Sequence, residues 1–202
     1  MDITARYSVF CRRFGLRLPI LLAPMAGVPA PALSIAVATA GGMGGCGALM
    51  LAPDAIRAWQ EGFHAASNGA SLINLWVPDP PPARDAEHEA RLRDFLSGFG
   101  PAVSPQAGDA SLQPFAAQCE ALIAARPAAA SSIMGLFPPA MVERLKAAGI
   151  AWFATVTTVA EARAAQAAGA DVLVAQGAEA GGHRGAFDAA LAERQAVGLM
   201  AL

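Results

Sequence analysis

The sequence has little charge, and its positive charge is not arranged to bind polyanions. Of the 202 residues, 15% are charged, with 14 Lys or Arg against 16 Asp or Glu, for a formal net charge of -2. Lys146 is the only lysine. Nucleic-acid-binding domains and polybasic membrane-surface segments carry clustered Lys and Arg. The composition therefore predicts neither a nucleic-acid partner nor a membrane partner.

Aromatic residues are also scarce, at 6%, whereas 55% of the residues are hydrophobic and many of these are alanine. A disordered chain would have low hydrophobicity and a high net charge. This composition instead indicates a closely packed core of small side chains. A length of 202 residues is sufficient for one such domain.

Cysteine patterns typical of metal sites are absent. Cys11, Cys46 and Cys119 have no CxxC or Cys/His spacing, so no metal site is expected, and reduced thiols in a cytoplasmic protein are the simplest interpretation.

No charged residue lies between Arg17 and Asp54, but prolines and glycines divide this stretch into pieces shorter than the roughly 20 residues that a membrane span needs. A basic segment followed by a short apolar core and a cleavage site is also absent, so no secretory signal is predicted. The prolines concerned are Pro19, Pro24, Pro29, Pro31 and Pro53.

Short apolar segments alternate with helical patterns along the chain. Six of these segments are predicted as β-strands: residues 19–26, 42–51, 71–77, 128–135, 150–156 and 171–175. Helices are predicted between them, with proline at several starts and glycine at several ends, and residues 191–202 are predicted as a last, amphipathic helix. The pattern indicates a single domain over residues 1–202, with an irregular Pro- and Gly-rich insert at about 78–114.

Uniform βαβα order predicts an α/β fold with a parallel sheet. We expect a (β/α)8 TIM-barrel type that is incomplete, with about six of eight parallel strands present, and a doubly wound sheet is the alternative. In a barrel the carboxyl ends of all strands share one rim. This places Met25, Asn74, Thr155 and the loop from Gln176 to His183 around a common mouth.

Residues 171–185, DVLVAQGAEAGGHRG, combine the features of a catalytic loop. An apolar run rich in β-branched residues predicts a buried strand, and the glycine-rich segment after it carries His183. An imidazole can accept a proton near neutral pH, so His183 is the candidate base. The alternative is a loop histidine that is hydrogen-bonded to backbone. Glu179 and Arg184 are expected to be structural or solvent-facing.

One apparent motif does not fit its usual context. Gly42, Gly44 and Gly47 match G-x-G-x-x-G, but a predicted helix precedes them and no acidic residue follows at the expected distance. The dinucleotide fingerprint needs a strand before it, a helix after it and that acid. We interpret these glycines, like Cys46 among them, as packing positions at a strand.

Several motifs together resemble the nitronate monooxygenases, FMN-dependent (β/α)8 enzymes formerly called 2-nitropropane dioxygenases. They are LLAPMAGV at Leu21, GGMGGCGA at Gly41, INLWVP at Ile73, FPPAMVERLKAAGI at Phe137 and VAQGAEAGGHRG at Val174. The similarity extends from about Pro19 to the last residue in consistent order. Quinone reductases and an enoyl-acyl-carrier reductase, which are related flavin barrels, share the first and last of these motifs.

The resemblance implies a role for each matching residue. Ala23, Pro24 and Met25 would lie beside the flavin ring, and Asn74 and Gln176 would contact FMN. Gly181 and its neighbour Gly182 would provide backbone contacts to the flavin. His183 would act as the general base on a nitroalkane carbon. These assignments are what similarity to the family implies for this sequence.

The implied activity is FMN-dependent oxidation of alkyl nitronates or nitroalkanes with dioxygen. The alternatives are a flavin-dependent NAD(P)H:quinone or enoyl-acyl-carrier reductase, and a catalytically inactive truncated remnant. The family barrel has two further strands, which hold the FMN phosphate, so the chain is expected to be truncated at its C-terminus and to bind FMN weakly on its own. The first and last strands would then be exposed apolar edges through which a homo-oligomer could form.

Overall fold

A computed structural model describes residues 3–28, 30–80, 83–109 and 112–202. Pro29, one of the chain-breaking prolines named above, and residues 81, 82, 110 and 111 of the insert lie outside the described residues. The chain divides into two compact units. The larger unit is Met1–Pro78 with Gln113–Leu202, and the smaller is Asp79–Leu112.

Helices and strands alternate through most of the larger unit. In chain order the elements are α1 (Ile3–Phe14), α2 (Ala32–Thr39), β1 (Gly44–Gly47), α3 (Pro53–Ala66), β2 (Ser71–Trp76), α4 (Ala86–Ser97), α5 (Phe115–Ala125), β3 (Ala129–Ile133), α6 (Pro139–Ala147), β4 (Ala151–Val156), α7 (Val159–Ala167) and β5 (Val172–Ala175). Helix α4 belongs to the smaller unit, together with a 3-10 turn at Pro105–Asp109.

The five strands form one sheet in the order β1-β2-β3-β4-β5, and every pair is parallel. Doubly wound sheets reverse their strand order at a switch point. The described strands follow chain order without such a reversal, which is the arrangement of a (β/α) barrel. The prediction of an incomplete barrel-type α/β fold is therefore confirmed, with five regular strands in place of the expected six.

The predicted strand at residues 19–26 is the one that is not regular. The structure has a parallel bridge there, between Leu21 and Met43. The Met43 N–H donates to the Ile20 carbonyl and the Leu22 N–H donates to the Met43 carbonyl, both at 2.9 Å. Pro19 and Pro24 flank this short pairing and have no N–H to extend a ladder. The extent predicted for this strand is wrong for that reason.

The glycines of β1 allow the backbone of this first segment to lie against the strand. A Cβ atom at Gly45 would come within 2.3 Å of the Leu22 carbonyl oxygen, and one at Gly47 within 2.7 Å of the Met25 carbonyl carbon. Helix α2 precedes β1, which is the wrong order for a dinucleotide fingerprint. The interpretation of these glycines as packing positions is confirmed.

The predicted helix signals are also confirmed. Helix α3 begins at Pro53 and α6 begins directly after Pro138, and each helix buries one face. Helix α7 starts after Thr158, whose hydroxyl oxygen accepts the Glu161 N–H at 3.1 Å. The buried faces consist of Ile56, Trp59, Gln60 and Phe63 in α3 and Met141, Val142 and Leu145 in α6.

Apolar side chains cover both faces of the sheet because successive strand residues point to opposite sides. The larger cluster packs residues such as Ile73 and Trp152 against the helices, and the smaller contains Met43, Leu72 and Phe153 on the opposite, inner face. Helix α1, which has no counterpart among the predicted elements, packs Phe10 and Phe14 onto this inner face, with Phe14 and Phe153 ring centroids 5.3 Å apart.

The helix predicted at residues 191–202 is wrong. The structure has 3-10 turns at Ala189–Leu191 and Leu199–Ala201 instead. Gly198 between them is extended, the Val197 carbonyl accepts the Ala178 N–H at 2.8 Å, and the Leu199 N–H donates to the Glu179 carboxylate at 3.0 Å. Contacts with a distant loop thus use the backbone groups that a helix would need.

Strand β5 lies where a strand was predicted. The sequence predicted that residues 171–175 would be buried, but side chains of β5 are exposed. Leu173 is 41% exposed and Val174 is 37% exposed. The reason is position: among the strands that the structure describes, β5 is at the edge of the sheet and pairs with β4 alone. Its apolar composition predicts a strand but cannot report how many neighbours that strand has. The expectation that the last strand is an exposed apolar edge is confirmed.

Candidate active site

Polar side chains line the inner face of the sheet toward the carboxyl ends of the strands. Asn74, Ser131 and Thr155 are all buried there, and Asn74 is 5% exposed. The Asn74 amide donates to the Ser131 hydroxyl at 2.8 Å and to the Ser131 carbonyl at 3.3 Å. An apolar layer containing Leu72 and Phe153 lies below them on the same face. The inner face therefore changes from apolar to polar toward the carboxyl ends.

The histidine loop, residues 176–187, follows β5 and is closed by the side chain of Gln176. The Gln176 amide nitrogen donates to the His183 carbonyl at 3.0 Å, and its amide oxygen accepts the Gly185 N–H at 2.7 Å. Gly182 has φ +80, a left-handed conformation that glycine adopts without steric cost. One side chain at the strand end thus fixes the backbone on both sides of Arg184.

The ring of His183 lies against the indole of Trp76. Their centroids are 5.0 Å apart at an interplanar angle of 69°, an edge-to-face arrangement. Trp76 is the last residue of β2, and His183 belongs to the loop after β5. The contact therefore joins the carboxyl ends of β2 and β5. In it the exposed imidazole of His183 lies beside the half-buried indole of Trp76.

The Ala23–Pro24–Met25 turn lies at the opposite edge of the sheet from the histidine loop. Its Met25 backbone approaches Gly47 at the end of β1, whereas Gln176 and His183 follow β5. With strands about 4.8 Å apart, the four spacings from β1 to β5 correspond to about 19 Å along the sheet. The structure therefore brings Gln176, Gly181, Gly182 and His183 into one loop and places Asn74 on the inner face between that loop and the turn.

The two charged residues of the histidine loop make structural contacts. Glu179 accepts the Leu199 N–H, and the pKa of its carboxyl is lowered by hydrogen bonds from its own backbone N–H and from that of Leu199. Arg184 donates from one Nη to the carbonyls of Thr157 and Gln195, both at 3.2 Å. Its Nε is buried and has no hydrogen-bond partner among the described atoms.

Sequence reasoning missed the contributions of Trp76 and Glu161. Trp76 belongs to the quoted INLWVP motif, and its position at the end of a predicted strand was the available signal. Nothing in the sequence marks the contact of Glu161 with the Phe187 N–H, 26 residues away.

The cysteines are not placed to react. All three are free and buried. Burial raises the pKa of Cys46 to about 12, and burial together with the Glu120 carboxylate raises that of Cys119 to about 11. Such thiols remain protonated and are poor nucleophiles at neutral pH. No group of three or more His, Cys, Asp or Glu side chains in the described part of the chain could hold a metal ion.

A cavity lies at the opposite end of the strands from the histidine loop. It has a volume of about 430 Å³ and is lined at the amino ends of β4 and β5 by Arg13, Lys146 and Asp171. Arg13 donates to the Asp171 carboxylate at 2.5 Å, and the Trp152 N–H donates to it at 2.9 Å. Burial acts to raise the pKa of Asp171, but these two hydrogen bonds outweigh it and lower that pKa. This end of a barrel-type sheet ordinarily serves stability.

Parallel β/α units with polar groups at the carboxyl ends of the strands define the class of barrel-type α/β proteins. Comparison with known proteins gives the family. Residues 11–202 match the family model described as Nitronate monooxygenase, and the chain belongs to this family. None of the helices in the described ranges is long and apolar enough to cross a membrane.

Similar proteins agree with that assignment. The chain is 36% identical over 198 residues to a nitronate monooxygenase of Pseudomonas aeruginosa, covering 96% of this chain and 56% of the relative. It is 33% identical over 200 residues to a probable nitronate monooxygenase of Bacillus subtilis, with the same two coverages. The chain therefore spans about half the length of the curated relatives it matches.

Solved structures give the same architecture. A nitroalkane oxidase from Streptomyces ansochromogenes superposes with a TM-score of 0.80 at 30% identity, covering 96% of this chain and 55% of that one. FabK from Thermotoga maritima superposes with a TM-score of 0.65 at 22% identity, covering 88% and 46%. The second likeness shows the fold alone.

Proposed function

We propose that this chain carries the catalytic-base half of a flavin site that oxidises alkyl nitronates or nitroalkanes with dioxygen. Family membership supports the reaction class. The observation that carries the proposal is the histidine loop, in which Gln176 holds the backbone of His183 while the ring lies against Trp76. This arrangement presents an exposed imidazole at the carboxyl end of the sheet, where barrel enzymes bind their substrates.

His183 is proposed as the general base. A nitroalkane carries an acidic C–H beside the nitro group, and removal of that proton leaves the anionic nitronate. In the proposed step the proton moves from this carbon to a ring nitrogen of His183, and the electron pair of the C–H bond moves into the nitro group. The edge-to-face contact with Trp76 limits the orientations of the ring, so that one face remains available to substrate.

FMN is the proposed cofactor, and bound FMN would supply the electron acceptor. The residues that would hold its ring are Ala23, Pro24, Met25, Asn74, Gln176, Gly181 and Gly182. A Cβ atom at Gly181 or Gly182 would meet nothing within 4 Å, so the loop backbone there faces open space. The Gln176 amide nitrogen uses one of its two hydrogens on the His183 carbonyl and retains the other for a ligand. These features fit a flat, polar-edged ring.

The decisive experiment separates proton abstraction from oxidation. Wild type and His183→Gln, each with excess FMN under anaerobic conditions, are mixed with a neutral nitroalkane or with the same compound already converted to its nitronate, and flavin bleaching is followed. Since only the nitroalkane needs a base, we expect His183→Gln to lose about 100-fold or more on the nitroalkane and to keep its rate on the nitronate. His88→Gln, which changes an exposed histidine in α4, is the matched control.

Three results would contradict the proposal. Equal loss on both substrates would remove the base assignment. Bleaching by NAD(P)H but by neither nitro compound would favour a flavin-dependent reductase. Absence of FMN uptake even at excess ligand would favour a non-catalytic chain. Weak binding of FMN by this chain alone, expected from the sequence, stays a prediction that the same titration measures.

We further propose that the protein acts in the cytoplasm and associates with a second copy through its exposed sheet edge. Three free, buried thiols support a reducing compartment. The open edge of β5 and the exposure of its Leu173 and Val174 side chains support the association, because unpaired apolar strand edges favour pairing with another chain. Sedimentation at several concentrations, compared with a Val174→Lys variant, measures it.

A further inference from the structure

Glu161 is a buried carboxylate on the first turn of α7. It is 8% exposed, although glutamate is almost never buried without partners. One carboxylate oxygen accepts the Thr157 N–H at 2.6 Å and the Thr157 hydroxyl at 2.9 Å, and the other accepts the Phe187 N–H at 2.8 Å. All three partners donate, so both oxygens are satisfied as acceptors.

These bonds are not those of a helix cap. In a capping box the glutamate accepts the N–H of the capping residue itself. Here Thr158 caps α7 with its own hydroxyl, which accepts the Glu161 N–H, while the Glu161 carboxylate reaches Thr157 and Phe187. The helix therefore has its cap without the carboxylate, which instead connects Thr157 to Phe187, a residue that lies 26 positions after Glu161.

The second of those segments is the exit of the histidine loop. Phe187 is its last residue, and Arg184 donates from the same loop to the Thr157 carbonyl at 3.2 Å. Thr157, which is fully buried at the end of β4, is thus joined to the loop through Glu161 on one side and Arg184 on the other. Gln176 holds the loop from its entrance. His183 lies between these two attachments.

We propose that Glu161 is a positioning residue for His183, acting by fixing the exit of the histidine loop to the end of β4. The consequence for catalysis rests on the base role proposed above, whereas the positioning itself does not. Without the carboxylate, the loop would keep the Gln176 contacts but lose its strongest attachment at the exit. The imidazole would then no longer be held against the indole of Trp76.

Glu161→Gln tests this with little change in shape. A glutamine has one acceptor oxygen and one NH2 group, so whichever way the amide turns, a donor faces either the Phe187 N–H or the Thr157 N–H. Helix α7 retains the Thr158 cap. Thr157→Val, which removes one of the three donors and keeps its N–H, provides a milder second variant. Gln60→Ala is the control, because Gln60 is also buried and bonded, to Ser71 at the opposite end of β2.

Two measurements need neither flavin nor turnover. Hydrogen exchange reports the attachment of residues 177–187, and we expect about tenfold faster exchange there in Glu161→Gln and a smaller increase in Thr157→Val. The NMR signals of the His183 ring report its position, because the indole of Trp76 shifts them. They are assigned by comparison with His183→Gln, and His88, which is exposed in α4, is the internal reference. We expect this shift to be lost in Glu161→Gln.

Unchanged loop exchange and unchanged His183 signals in Glu161→Gln would overturn the proposal. So would equal changes in Gln60→Ala, since the effect would then be a general loss of stability. If Glu161→Gln does not fold, the same comparison between Thr157→Val and Gln60→Ala decides. Absence of nitronate oxidation in wild type would refute the proposed function and leave these readouts intact.

Discussion

Replacing Gly45 by alanine tests the packing of the first segment against β1. The added Cβ would lie 2.3 Å from the Leu22 carbonyl oxygen, roughly 1 Å inside ordinary contact. Leu22 cannot retreat freely, because its N–H is bonded to the Met43 carbonyl at 2.9 Å. Overpacking of this kind costs about 1–3 kcal/mol, and disturbing the bridge costs about 1 kcal/mol for each hydrogen bond. We therefore expect a loss of about 3 kcal/mol in the free energy of unfolding.

The sign of the effect makes the test informative. In the absence of a clash, alanine is more favourable than glycine in a strand by roughly 0.5–1 kcal/mol, so intrinsic preference predicts a gain. Urea unfolding followed by circular dichroism measures the difference, and a fall of about 6–12 °C in the melting temperature should accompany it.

Gly100→Ala is the matched control, since a Cβ at Gly100 meets nothing within 4 Å. It should change the free energy of unfolding by less than about 0.5 kcal/mol. If Gly45→Ala is as stable as this control or more stable than wild type, the close approach of Leu22 to β1 is refuted.

Two further substitutions address the site and the opposite end of the sheet. A Cβ added at Gly181 meets nothing within 4 Å, so Gly181→Ala should leave the free energy of unfolding unchanged or raise it by about 0.5 kcal/mol. The same substitution should weaken FMN binding at least about tenfold, because the methyl group would contact the flavin ring. Unchanged affinity in a fluorescence titration would argue against the flavin contact. Asp171→Asn should lower stability by about 1 kcal/mol at pH 7 by removing the Arg13 contact. Because the pKa of Asp171 is lowered in the folded protein, its stabilisation is present above the unfolded-state pKa of about 3.9 and is lost as the pH falls through the folded value. Urea midpoints of the two proteins should therefore converge once the pH falls below the folded-state pKa of Asp171, and a constant difference would count against this linkage.

Local patterns predicted most of the elements because their causes are local. Proline at helix starts and glycine at helix ends act within a few residues, and α3 and α6 begin where the proline signals lie. The failed prediction at the end of the chain has a distant cause. Residues 191–202 have helical spacing, but Gly198 and the Glu179 carboxylate direct that backbone elsewhere. The cause lies 20 residues away, beyond the reach of any periodicity.

Part of the candidate site could also be predicted from patterns in the sequence. A glycine loop bearing His183 after an apolar strand is visible in the sequence, as are Asn74 and Gln176 at strand ends, because residue type and order are sufficient to place them at the carboxyl side of a parallel sheet. Similarity of motifs added the expected roles.

The sequence by itself determined the order of strands and helices, the parallel α/β class and the family, since these depend on patterns carried along the chain. Only the tertiary structure decided that His183 lies against Trp76 and that the carboxylate of Glu161 bonds the exit of the histidine loop. Each of these depends on which distant residues become neighbours. Burial and hydrogen bonding are properties of that neighbourhood, and the same side chain can be a solvated surface group or a buried anchor according to what packs around it.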